Sequence, residues 1–220
     1  MKARLRDLAK EVLQRSLRGG FVWRLPPRFI NRVCLTFDDG PDPVFTPRFL
    51  DLLADHGVQA TFFLLGSNVE RHKQLAREIV RRGHSVGTHT YGHTEITTLG
   101  DMELGQDLMR ARELLRQVTG ADSVLFRPPR GRVSWRTIRT VVRLGYVLVH
   151  WSKTYSDFKA DGTEHLLARL REEPVGGRDI VLLHDNNPHT AQALAWLLPE
   201  LSRKGLDLRV PLRPNGSDFR

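Results

Sequence analysis

The chain has 220 residues, 40% hydrophobic and 27% charged, the size and balance of one globular domain with a substantial core. Its net charge of +9 is concentrated at the start: residues 1–32 hold nine Lys/Arg against two acids, and the rest is close to neutral. No apolar run approaches the roughly 18 residues needed to cross a bilayer, the single cysteine excludes an internal disulfide, and no interleaved aromatic and basic pattern supports nucleic-acid binding.

Residues 3–18 read as a helix with Leu5, Leu8, Val12 and Leu13 on one side and Arg/Lys on the other, ended by Gly19-Gly20. Such a stripe more often packs against its own domain. The basic face also suits peripheral contact of residues 1–20 with an anionic membrane surface. From residue 33 strand and helix alternate. Strands are expected at 33–37, 58–64, 84–88, 123–126, 146–151, 179–184 and 207–211, and helices at 47–56, 69–82, 102–118, 135–144, 163–171 and 190–204. Pro47 after Thr46 marks a helix start, and Gly120 and Gly145 mark helix stops. The alternation predicts an α/β fold with a parallel sheet, and the short repeat favours a distorted (β/α) barrel of about seven strands. Residues 1–30 form a basic extension, 31–211 the catalytic domain and 212–220 a frayed tail. Cys34, inside an apolar strand, reads as an inert buried thiol. The broken apolar pattern at the start lacks the core of a secretory signal. The expected place is the cytoplasm or the cytoplasmic membrane face.

The polar residues with chemistry fall where these strands finish. Asp38-Asp39 follow the first strand, His89 and His93 the third, Arg127 the fourth, Asp157 the loop after the fifth, and His184 the sixth. That is the face where barrel enzymes gather their sites. One Asp with two His is a mixed oxygen and nitrogen set for a divalent metal, and the other Asp is free to act as a base. An isolated Asp-Asp-Gly is usually a turn, and His at i, i+4 often marks a helix face. Here Gly87 and Gly92 argue for a loop. His56, His72, His84, His150, His165 and His189 lack ordered partners and read as surface or structural.

Taken together, Thr36-Phe37-Asp38-Asp39-Gly40, His89-Thr90-Tyr91-Gly92-His93, Arg127-Pro128-Pro129-Arg130-Gly131, Asp157-Phe158 and Leu182-Leu183-His184 resemble the polysaccharide deacetylases, the nodulation-type or family-four carbohydrate esterases. The resemblance spans about residues 31–211. It implies a metal-dependent hydrolase removing acetyl from an N-acetylated sugar. Asp39, His89 and His93 would hold one divalent ion, Zn²⁺ first, with Co²⁺, Ni²⁺ or Fe²⁺ fitting similar geometry. Asp38 would be the base and His184 the acid, tuned by Arg127 and Asp157 respectively. A backbone N–H near Arg130 would face the oxyanion. Substrate contacts are expected at Pro129, Arg130, Gly131, Trp151, Tyr155, Phe158 and Leu182, with Trp135 a further stacking surface.

Two residues depart from the family pattern: Arg130 stands where Tyr is usual, and Phe158 replaces Trp. Both touch the expected substrate groove rather than the metal set. The added cation tilts the expected substrate toward anionic or phosphate-bearing glycans. The same machinery also suits a deformylase on a lipid-linked sugar or an O-acetyl esterase. A catalytically silent glycan-binding relative is the reading from another class, and the complete set of chemical residues weighs against it.

Overall fold

The computed structural model describes residues 2–17, 19–159 and 161–219, with side chains from Leu8 onward. Eight parallel strands form one sheet: β1 (Phe21–Val22), β2 (Cys34–Asp38), β3 (Thr61–Leu64), β4 (Ser85–Thr88), β5 (Leu125–Phe126), β6 (Val147–Val149), β7 (Lys153–Thr154) and β8 (Ile180–His184). Their order is β1-β6-β5-β4-β3-β2-β8-β7. Helices α1 (Lys2–Ser16), α2 (Thr46–Asp55), α3 (Gly66–Arg71), α4 (Lys73–Arg81), α5 (Asp101–Thr119), α6 (Trp135–Arg143), α7 (Thr163–Glu172) and α8 (Pro188–Arg203) accompany it.

Period-2 alternation sorts the side chains of the curled sheet to its inner and outer faces. Cys34, Phe63, Leu125, Val147, Val149 and Ile180 form one inner cluster. The intervening Leu35, Phe37, Phe62, Leu64, Val181 and Leu183 pack outward beneath α2, α4, α7 and α8. Closure comes from a single segment. Strands β6 and β7 pair with β5 and β8 respectively, yet only His150, Trp151 and Ser152 separate them. The Ser152 amide donates to the Ile180 carbonyl (3.0 Å), and Arg24 pairs with Asp179 across the same seam at 3.2 Å.

Several expected boundaries need correction. The first 30 residues are more than an extension, because β1 lies inside them and pairs with β6. The expected helix 69–82 is broken at His72, whose φ of −123° and ψ of 49° separate α3 from α4. Residues 207–211 form only a bridge from Asp207 to Arg32 rather than a strand. The Arg32 guanidinium captures the carbonyls of Val210 (3.2 Å) and Pro211 (2.6 Å) that a ladder would have used.

The tail is packed where fraying was expected. Leu212 is fully buried, and the buried Asp218 carboxylate pairs with Arg32 at 2.8 Å and accepts the Arg213 amide at 2.6 Å. The apolar stripe of α1 divides. Leu13 and Leu17 pack beside Phe21, Trp23 and Ile138, while Leu8 and Val12 face solvent. The Leu5 side chain lies outside the described residues. Cys34 is a free, buried thiol, pushed by burial up to about 12. Among the described residues no helix is long and apolar enough to cross a membrane.

Removing one partner of a buried ion pair strands the other charge. Asp218→Ala is therefore expected to lower the unfolding free energy by about 3 kcal/mol in urea titration. A loss below about 1 kcal/mol would mean that the tail clasp contributes little to the barrel.

Candidate active site at the strand ends

The inner column of β2 runs Cys34, Thr36, Asp38, and that of β8 runs Ile180, Leu182, His184. Register pairs Asp38 with His184 and Thr36 with Leu182. The same alternation that fills the barrel with apolar side chains thus delivers a carboxylate and an imidazole to its uppermost layer, with Leu182 buried one layer below.

Arg127 follows β5 and is completely buried. Its Nη1 donates to Asp38 Oδ1 (2.8 Å) and Thr36 Oγ1 (2.7 Å), its Nε to Val149 O (3.1 Å) and its Nη2 to His150 O (3.1 Å). The guanidinium also lies over the Phe63 ring at 4.1 Å. Burial pulls its pKa down, opposed by the charge and hydrogen bond of Asp38. A guanidinium remains charged under such a pull, so this arrangement is a buried ion paired with Asp38 and hydrogen-bonded at all three nitrogens.

His184 is held from the other side. Its Nδ1–H donates to Asp157 Oδ1 (2.9 Å), and its own amide donates to Asp157 Oδ2 (2.7 Å). Burial works against the charged imidazole. The Asp157 hydrogen bond and charge, assisted by Asp38 and Asp39, outweigh it and lift His184 to about 9.

Between these two anchors stand Asp39, His89 and His93. Asp39 Oδ1 lies 3.5 Å from His89 Nε2 and 3.5 Å from His93 Nε2, and the three donor atoms all fall within 4.8 Å of one another. Asp39 Oδ1 is buried without a hydrogen-bond partner. The His89 Nδ1–H donates to the Arg127 carbonyl at 2.8 Å, which leaves Nε2 as a lone-pair donor, and burial keeps that ring below its usual pKa. Ligands on a tetrahedral zinc ion at ~2.0–2.1 Å stand about 3.4 Å apart. The carboxylate-to-imidazole spacings match, and the orphaned oxygen faces the same point, so these residues fit one divalent ion.

The loops carrying the site are conformationally costly. Asp39 (φ 74°), Thr90 (66°), His93 (61°), Arg130 (56°) and Ser156 (51°) all lie in the left-handed region, which is unfavourable for residues with a Cβ. Gly131 (φ 63°) is needed for space as well, since a Cβ there would stand 2.4 Å from the Trp151 ring.

Of the remaining expected residues, Phe158 is 64% exposed and meets the His184 ring edge-on at 5.8 Å, forming an apolar wall. Arg130 is exposed beside Glu95 (3.7 Å), which also pairs with Arg132. Pro129 is buried in the turn preceding them. Trp151 is half-buried and stacks on His150 at 4.6 Å. Tyr155 requires correction. It is 2% exposed with its hydroxyl on Glu173 O (2.7 Å), so it belongs to the core and offers no stacking face.

Sequence reasoning passed over two supports. Thr190 donates to Asp157 Oδ2 (2.8 Å) at the start of α8, where Asn187-Pro188 was a readable cap signal. Asp185 is fully buried, and burial pushes it up to about 7. It accepts the Thr46 hydroxyl, which ties the start of α2 to the end of β8, and its carboxylate leaves no room for a Cβ at Gly40.

Residues 29–149 match the family model of polysaccharide deacetylase. A peptidoglycan-N-acetylglucosamine deacetylase of Bacillus cereus is 34% identical over 192 residues, 85% of this chain and 89% of that protein. A chitooligosaccharide deacetylase of Sinorhizobium fredii is 35% identical over 191 residues, covering 80% and 88%. A crystal structure of a peptidoglycan N-acetylglucosamine deacetylase in complex with 4-naphthalen-1-yl-N-oxidanyl-benzamide superposes with a TM-score of 0.81 at 30% identity, over 88% of this chain and 91% of that one. A CE4 family pseudoenzyme from Bacillus anthracis superposes at 0.79 with 27% identity, over 85% and 66%. The fold therefore accommodates both active and inactive sites.

Arg127→Met is expected to cost about 3–5 kcal/mol of unfolding free energy, because Asp38 and two carbonyls lose their buried donors. Thr36→Val, which removes one neutral hydroxyl, should cost only about 1 kcal/mol. Equal losses in urea titration would mean that the guanidinium is not the principal anchor.

Proposed function

The chain belongs to the polysaccharide deacetylase family, and from that premise we propose that it is a metal-dependent hydrolase removing acetyl from an N-acetylated amino sugar of a glycan. The observation that carries this reading is the orphaned Asp39 oxygen 3.5 Å from two imidazole nitrogens, set between a clamped carboxylate and a clamped imidazole.

Asp39, His89 and His93 would hold the ion. When bound, a divalent metal supplies Lewis acidity that polarises the amide carbonyl and lowers the pKa of water to about 7. Asp38 accepts the proton from the attacking water. The Arg127 contact aims its carboxylate, since Oδ1 is engaged and Oδ2 stays 3.8 Å from His89 Nε2. The new C–O bond forms at the acetyl carbon, and the Arg130 backbone N–H faces the resulting oxyanion. His184 then gives its Nε2 proton to the departing amine as the C–N bond breaks. Asp157 holds the opposite nitrogen, which fixes the ring and favours its charged form. The products are acetate and a free amino sugar.

Phe158 supports an apolar wall beside the acid, and the Trp151 indole over Gly131 supports the opposite side of the groove. Arg130 and Arg132 around Glu95 give the rim a net positive charge, which suits a glycan with carboxylate or phosphate substituents.

Elemental analysis after Zn²⁺ reconstitution should find near one metal per chain, lost in His93→Ala. Folded wild-type protein that binds none would overturn the mechanism and return the silent binding module to first place. The acid must be protonated, so activity should fall as pH rises through the His184 value of about 9. Asp157→Asn removes the charge that raises it, and the alkaline limb of kcat should move acidward by about one pH unit or more. An unmoved limb would exclude His184 as the acid.

A further inference from the structure

The two loops that carry Asp39 and His89 are tied to one short stretch of chain. Strand β3 lies between β2, which leads to Asp39, and β4, which leads to His89. Where β3 ends, the bonding to both neighbours continues. Leu64 O accepts the His89 amide (3.0 Å), and the Leu65 amide donates to Gly40 O (3.0 Å). The Gly66 amide then donates to Thr90 O (3.0 Å) and the Ser67 amide to Tyr91 O (2.8 Å). Asn68 completes the bracket with a side chain, its Nδ2 donating to the Asp39 carbonyl at 2.7 Å.

The bonds of residues 64–67 use backbone groups, which the fold supplies whatever the side chains are. The bond from Asn68 exists only because that side chain carries an amide. Its orientation follows from the chemistry on both sides. The Arg71 guanidinium, which has no acceptor, donates to Asn68 Oδ1, so Nδ2 is the atom that faces Asp39.

Asp39 needs such a hold. It sits at φ 74°, in the left-handed region that is costly for a residue with a Cβ. Its Oδ1 must also reach a point 3.5 Å from both His89 Nε2 and His93 Nε2. The Asp39 carbonyl and carboxymethyl group leave the same Cα, so fixing the carbonyl fixes the direction in which the carboxylate projects. The histidine loop has a side-chain hold of its own, since Asp107 Oδ1 accepts the Tyr91 amide at 3.0 Å. The corresponding hold on Asp39 comes from Asn68.

We propose that Asn68 is a positioning residue of the metal site, setting the Asp39 carboxylate through its backbone carbonyl and so raising the affinity for a divalent ion. Partners that orient ligands without touching the ion commonly tune its binding. The inference rests on the reading of Asp39, His89 and His93 as the ligand set.

The test is the Zn²⁺ affinity of the full metal-free chain, measured by competition with a chromophoric chelator, with thermal melting of the same metal-free proteins alongside. Asn68→Leu keeps the side-chain volume and loses the donor. It is expected to bind Zn²⁺ about tenfold more weakly than the parent, with a metal-free melting temperature close to the parent's. Asn68→Ala should show the same loss and serves if the leucine is not accommodated. Arg71→Met keeps the amide, which the Asp39 carbonyl still turns Nδ2-inward, and should retain the parent's affinity. Equal Zn²⁺ binding by the parent and both Asn68 variants would overturn this inference alone. A parent that binds no Zn²⁺ would overturn it together with the hydrolase reading. A lower metal-free melting temperature with unchanged Zn²⁺ affinity would make Asn68 a structural part of α3 only. An equal loss in Arg71→Met would place the effect in the guanidinium. Either of these results also overturns the assignment.

Discussion

The buried guanidinium of Arg127 is the constraint around which the rest of the site is built. A charge taken out of water is tolerable only when every donor is satisfied. Its partners come from β2 (Thr36 and Asp38) and from the segment closing the barrel (Val149 and His150). Its own carbonyl fixes the tautomer of His89. One side chain thus ties a carboxylate, an imidazole and the curvature of the sheet to a common point. The contacts to Thr36 and Asp38 would not survive a shift of β2 by one residue, which would turn both outward.

Asp157 performs the complementary operation on His184. A carboxylate held by a cation and an imidazole held by an anion sit in the same top layer, one strand apart. Their partners carry opposite charges, and that of Asp157 favours the charged form of His184. The relation to a CE4 family pseudoenzyme of nearly the same shape shows that the barrel alone does not carry activity.

Much of this was readable because the barrel translates sequence spacing into place. Residues that end strands in a parallel sheet converge on one face, so Asp38, His89, Arg127 and His184 could be grouped before any coordinates were known. What escaped reading depended on tertiary pairing. Strands β1 and β7 have two residues each and no periodicity to detect. The 207–211 segment has a strand-like pattern, but the carbonyls of Val210 and Pro211 went to a single arginine. Tyr155 looked like a sugar platform by type alone, and only its burial places it in the core. Asp185 and Thr190 support the site through neighbours distant in sequence, and nothing in their local pattern announces this.

The seam has a consequence for how the molecule fails. Because residues 147–154 pair with β5 at one end and β8 at the other and also supply two acceptors to Arg127, prying the barrel open withdraws those acceptors and slackens the hold on Asp38 in the same movement. A breathing molecule would therefore lose its grip on Asp38 before it lost its shape. Damage at the seam therefore reaches the strand-end layer early, while β2, β3 and β4 are still paired.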